Sequence, residues 1–142
     1  PGTTFYVATT GVDAPGRGTS ANPFKTLAYA ATQVAPAQNH TISLAAGTYV
    51  ETVATVLPIG VNIIGAGEAN TIITSAAAIP SPGFSPTAND WKLWYDGSLI
   101  QLISPHFAIF RDPKSTPIAP ANGNQTLSGF TLDGNAKKIK AG

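Results

Sequence analysis

Along the chain, apolar and polar positions fall into short aliphatic or alternating runs separated by turn residues, with one exception near the start. Thr4 to Ala8 (TFYVA) is aromatic and β-branched and reads as a strand. Thr9 to Ala21 combines three glycines, a proline and small polar residues, which predicts turns without regular pairing. The exception comes next. Phe24, Leu27, Ala28, Ala31 and Val34 recur at i, i+3, i+4, i+7 and i+10, placing one apolar stripe along a helix while Lys25, Thr32 and Gln33 face water. Asn22 can cap that helix, Pro23 fits its first turn, and Pro36 ends it.

After the helix the pattern changes to short β-branched or aliphatic segments: Thr41 to Ala45, Val61 to Ile64, Thr71 to Thr74, Ser98 to Ser104 and Gln125 to Leu132. Glycines punctuate the run, and no strand leads into a second helical pattern, which argues against a doubly wound α/β fold. With Ile42, Ile63, Ile100 and Leu127 taken as equivalent rungs, the spacings are 21, 37 and 27 residues. Such spacing suits a solenoid with coils of twenty-odd residues and inserted loops. Ala76 to Asp96, broken by Pro80, Pro82 and Pro86, reads as one such loop, and Pro105 to Gly123 as a second. The expected organisation is a single domain over residues 1–142, with strand, loop and helix in 1–40 and coils in 41–142.

Three pieces, FYVATTGVD, GTSANPFKTLAYAATQVAP and ISLAAGTYVETV, resemble in their order the amino-terminal part of pectate-lyase-like β-helix proteins. PIGVNIIGAGEANTIITS looks like the next coil of that family, and LSGFTLDGN like a later strand and turn; the two inserted loops have no such counterpart. The resemblance implies a mainly β fold, a right-handed single-stranded parallel β-helix with an N-terminal capping α-helix. It also implies a secreted or cell-surface location and polysaccharide as the partner. The physics agrees, because an open solenoid end exposes unpaired backbone groups and core side chains, and an amphipathic helix is a suitable cover.

Composition narrows the possibilities. Charged residues make up 11% and the net charge is +1, so the basic surface of a nucleic-acid binder is absent. With no cysteine, neither disulfides nor thiolate metal sites hold the fold. No apolar run approaches the roughly 20 residues of a spanning helix. The chain opens at Pro1 and contains no methionine, which leads us to expect a segment of a longer product.

For chemistry, GAGEAN at Gly65 to Asn70 lacks the third glycine of a dinucleotide fingerprint and precedes a strand, so a turn is expected rather than a phosphate loop. His40 and His106 stand apart from carboxylates at metal-ligand spacing, and no metal site is expected. The acids Asp13, Glu51, Glu68, Asp90, Asp96, Asp112 and Asp133 form no pair in sequence. Lyases of the resembled family use clustered acids for calcium and an Arg or Lys as base; calcium enters only by that analogy, and no cofactor is identified. Asp133 in the DGN turn could begin such an acidic surface, against the simpler role of an Asp-Gly turn.

The candidate carbohydrate-binding residues are those of the loop NDWKLWYDG: Trp91, Trp94 and Tyr95 with Asp90, Lys92 and Asp96. Indole and phenol faces stack on the C–H faces of sugars while the charged neighbours take hydroxyls. The competing reading folds the tryptophans onto the flank, burying area worth about 2 to 3 kcal/mol each. Arg111, Lys114, Lys137, Lys138 and Lys140 could attract an acidic polymer or simply face solvent. Asn39 and Asn124 lie in N-x-T sequons, which matter only in a glycosylating source. Two functions remain open: a polysaccharide-processing segment whose catalytic residues lie outside these residues, and a structural or adhesive module that stacks end to end, forming a homo-oligomer through open edges.

Overall fold

The computed structural model describes residues 2–75, 99–102 and 124–134. Among them are nine strands and one helix: β1 (Thr4–Val7), α1 (Leu27–Gln33), β2 (Thr41–Leu44), β3 (Gly47–Glu51), β4 (Thr55–Leu57), β5 (Asn62–Ile64), β6 (Thr71–Ser75), β7 (Ile100–Leu102), β8 (Leu127–Ser128) and β9 (Thr131–Asp133). All pairing between strands is parallel, in three sheets ordered β1-β2-β5-β8, β3-β6-β9 and β4-β7. After β1 in the first sheet and the helix, the chain visits the first, second and third sheets in turn, does so again, and then returns to the first and second. This mainly β arrangement with one short helix is consistent with a β-helix.

Side-chain alternation gives each sheet an inner and an outer face. Phe5, Ile42, Ile63 and Leu127 share one inward row of the first sheet, and Tyr49, Ile73 and Leu132 one of the second. Leu57 and Thr55 point inward from the third. Ile42, Leu44, Leu57, Ile63 and Ile73 are fully buried and form the centre of one core with residues of α1. At the last strand of each sheet the inward leucines, Leu102, Leu127 and Leu132, are 36 to 48% exposed.

The rung assignment needs one correction. Ile42, Ile63 and Leu127 are in register, but Ile100 pairs with Thr55 in the third sheet. Treating the four positions as one row misled because β3 and β4, which sequence patterning passed over, each need a partner one pass later. The long segments 76–98 and 103–123 both lie within that second pass, between β6 and β7 and between β7 and β8. Gln125 to Leu132 is also two strands rather than one. Gly129, at φ +72°, turns the chain from the first sheet to the second, and a Cβ on Gly65 beside it would lie 2.2 Å from the Gly129 carbonyl oxygen.

The helix begins three residues later than the apolar stripe suggests. Thr26, not Asn22, is its N-cap; its backbone is extended and its hydroxyl accepts the Tyr29 N–H at 3.2 Å. Phe24 is buried for a different reason: it forms a parallel bridge to Val7, with Phe24 N–H donating to the Tyr6 carbonyl at 2.9 Å. With Tyr6 N–H donating to Gly18 O at 2.8 Å, the segment from Gly18 to Phe24 satisfies the outer edge of β1. Leu27, Ala30 and Ala31 of α1, with Val34 just beyond, are buried, and α1 packs mainly on β4 with further contacts to β1, β2 and β3. One end of the strand stack is thus covered twice, by a pseudo-strand and by a helix.

Candidate functional site

The outer face of the first sheet carries two rows. Extending the register places Thr4, Thr41, Asn62 and Thr126 in one row and Tyr6, Ser43, Ile64 and Ser128 in the other. With strands about 4.8 Å apart, the second row runs about 14 Å from Tyr6 to Ser128. Open grooves follow both rows, one lined by Asn39, Thr41, Asn62, Asn124, Thr126 and Ser128 and the other by Tyr6, Ser43 and Ile64 with Ser20 and Pro23.

Local backbone geometry builds the rim. Asn39, Gly60 and Asn124 are equivalent by register, and all three have positive φ, at 54°, 70° and 48°. Asn and Gly are the residues that tolerate this left-handed conformation, so each pass re-enters the first sheet through the same corner. Asn62 knits the corners together: its Nδ2 donates to Asn39 Oδ1 at 3.2 Å, and its Oδ1 accepts the Thr126 N–H at 3.0 Å.

Among the described residues the face is uncharged. The charged residues among the described ones are Asp13, Arg17, Lys25, Glu51, Glu68 and Asp133, and none lines either groove. Tyr6 is 38% exposed and Ile64 46%, giving an aromatic and an aliphatic surface in one row. Among the described residues the hydroxyls of Thr41, Ser43, Thr126 and Ser128 and the amide of Asn124 find no hydrogen-bond partner, leaving both donors and acceptors open.

A second cluster is chemically conspicuous but committed to structure. Asp13 accepts from Lys25 N–H at 2.8 Å, Thr26 N–H at 3.0 Å and the Thr26 hydroxyl at 2.7 Å. Glu51, 3% exposed, accepts the Leu27 N–H at 2.8 Å and also that of Ala28. Together they satisfy the orphan donors at the start of α1. Burial pushes the Glu51 carboxyl above its usual range, with the Asp13 charge adding to the rise and the two backbone N–H groups opposing it. Tyr49 is pushed up to about 12 by burial and then by the Glu51 charge; its hydroxyl donates to the Ala45 carbonyl at 2.8 Å.

The six residues read from the sequence as a sugar site, Asp90, Trp91, Lys92, Trp94, Tyr95 and Asp96, lie outside the described residues, as do His106, Arg111, Asp112, Lys114 and the terminal lysines. His40 is structural, with Nδ1 accepting the Thr3 N–H at 2.8 Å and its ring edge-on to Phe5. Gly65 to Asn70 forms a turn into β6 with no helix behind it. Asp133 is not in a turn; it ends β9, level with Val50 and Thr74 on the outer face of the second sheet. Among the described residues no group of three His, Asp or Glu side chains gathers as a metal cage, and no helix is long and apolar enough to cross a membrane. Sequence reading missed Tyr6 as a site residue. Its outward direction was available from alternation with Phe5 and Val7, but its companions come from strands far along the chain.

Comparison with known proteins gives one match: the family model DUF1565, described as a protein of unknown function, covers residues 9–140. No curated protein and no solved structure matches the chain.

Proposed function

Because the chain belongs to the DUF1565 family, which is associated with right-handed β-helix proteins, we propose that its passes are the capped start of a pectate-lyase-like, right-handed parallel β-helix that holds polysaccharide outside the cell. The observation that carries this reading is the outer face of the first sheet, where an exposed tyrosine and unpaired hydroxyls and amide line up over four strands. Such a face can follow a chain-like ligand lying across the strands, stacking on rings and exchanging hydrogen bonds with hydroxyls. Catalytic residues, where the whole protein has them, lie beyond these residues, and the tryptophan loop Asn89 to Gly97, outside the described residues, stays a separate candidate for sugar contact. The test is co-sedimentation of the purified chain with insoluble polysaccharides, together with a reducing-end assay. Binding without turnover is expected; no binding to any polysaccharide sinks the reading, and strong turnover sinks the assignment of catalysis elsewhere.

A second reading rests on the exposed leucines at the last strand of each sheet: a structural module that associates through that end. Since α1 and the Gly18 to Phe24 segment occupy the opposite end, copies would meet leucine end to leucine end, giving a closed two-fold dimer rather than a filament. Light scattering separates the two, because a concentration-independent monomer rules out association through this end.

A further inference from the structure

We infer that the outer face of the first sheet takes an uncharged glycan, with Tyr6 as the stacking platform, rather than an acidic polysaccharide. This rests on the polysaccharide reading above and narrows it. Among the described residues no Lys or Arg lines either groove over the face; Arg17 and Lys25, the cations among them, lie outside both. A polyuronate brings a carboxylate on each sugar, and desolvating that charge against a face without a cation costs affinity. A neutral glycan brings hydroxyls, which are donors and acceptors at once. They match the open hydroxyls of Ser43, Thr126 and Ser128 and the Asn124 amide, each without a partner among the described residues.

Tyr6 is suited to be the anchor because its backbone is fixed from both sides. Its N–H donates to Gly18 O and its carbonyl accepts from Phe24 N–H, while β2 pairs along the other edge. A held backbone with a part-exposed ring presents a stacking surface at small entropic cost. Ser43 and Ile64, in register beside it, continue the track with one hydroxyl and one apolar contact.

The test is isothermal titration of the 142-residue chain with cellohexaose, mannohexaose and hexagalacturonate, each at low and high sodium chloride. The expected result is binding to a neutral hexaose with no salt dependence, weakened about tenfold or more in Tyr6→Ala, the loss of one aromatic anchor. Ser43→Arg, which sets a bulky cation in the middle of the row, should abolish that binding while thermal unfolding shows both variants folded. Salt-sensitive binding to hexagalacturonate alone overturns this inference and leaves the polysaccharide reading standing. Neutral binding that survives both substitutions overturns the placement on this face. Should Tyr6→Ala fail to fold, Ser43→Arg decides the placement by itself. Binding to none of the three overturns the inference and, with negative co-sedimentation, the broader reading too.

Discussion

The carboxylate of Glu51 accepts the backbone N–H of Leu27 at 2.8 Å, so a side chain from the second sheet fastens the first turn of the helix that closes the end of the stack. The contact spans 24 residues in sequence and is buried, and it makes the cap part of the core rather than an appendage.

The burial of Glu51 predicts a pH dependence. Because burial raises the Glu51 pKa above its unfolded value, the ionised form opposes folding above the folded pKa, and this opposition is relieved as pH falls through it toward the ordinary glutamate value. Glu51→Gln lacks the titration. Denaturant unfolding of both proteins from neutral pH downward should show the stability difference shifting in favour of the wild type as pH falls. A difference that stays constant or moves the other way contradicts the buried, charge-disfavouring setting of Glu51.

Thr55 gives a stabilising substitution. Its hydroxyl is fully buried on β4 with no hydrogen-bond partner. Thr55→Val keeps the shape and removes the desolvated group, so unfolding free energy should rise by about 1 kcal/mol. Loss of stability in this variant means that the hydroxyl has a partner after all.

The left-handed corner at Asn124 separates two substitutions. Asn124→Gly suits φ +48° and forfeits no side-chain hydrogen bond, so its effect should stay within about 0.5 kcal/mol. Asn124→Val forces a β-branched residue into the same conformation and should cost about 1 to 3 kcal/mol. Chemical denaturation midpoints compare them directly, and equal effects of the two would argue against the corner.

Tyr49→Phe removes the hydroxyl whose single proton donates to the Ala45 carbonyl at 2.8 Å, with the Val7 carbonyl 3.2 Å away. One buried hydrogen bond is lost, which predicts a loss of about 1 kcal/mol by thermal or denaturant unfolding. A neutral substitution would show that water replaces the phenol there.

Periodicity revealed α1, because Leu27, Ala31 and Val34 obey a helical repeat that nothing else in the chain obeys. Its start was hidden, since Phe24 is three residues before Leu27 and fits a helical stripe and a strand bridge equally well. β3 escaped notice because Glu51 sits on its inward row, where hydrophobic patterning expects no acid; the β-rich Thr-Tyr-Val before it was the available signal. Pairing could not be counted from spacing, because both long segments fall in one pass and displace Ile100 from the row of Ile63. The candidate face depends on that non-local register. Tyr6 alone is an outward tyrosine, and only alongside Ser43, Ile64 and Ser128 does it become part of a track.

The whole account therefore turns on the register of the first sheet, and the most direct measurement is a set of amide-region nuclear Overhauser contacts in the isotopically labelled chain. The stacked passes predict cross-strand contacts linking β2 to β5 through Ile42 and Ile63 and β5 to β8 through Ile63 and Leu127, with Ile100 contacting Thr55. Contacts placing Ile100 between Ile63 and Leu127 in one sheet would contradict the register, dissolve the Tyr6 to Ser128 row and remove the basis of the proposed glycan face.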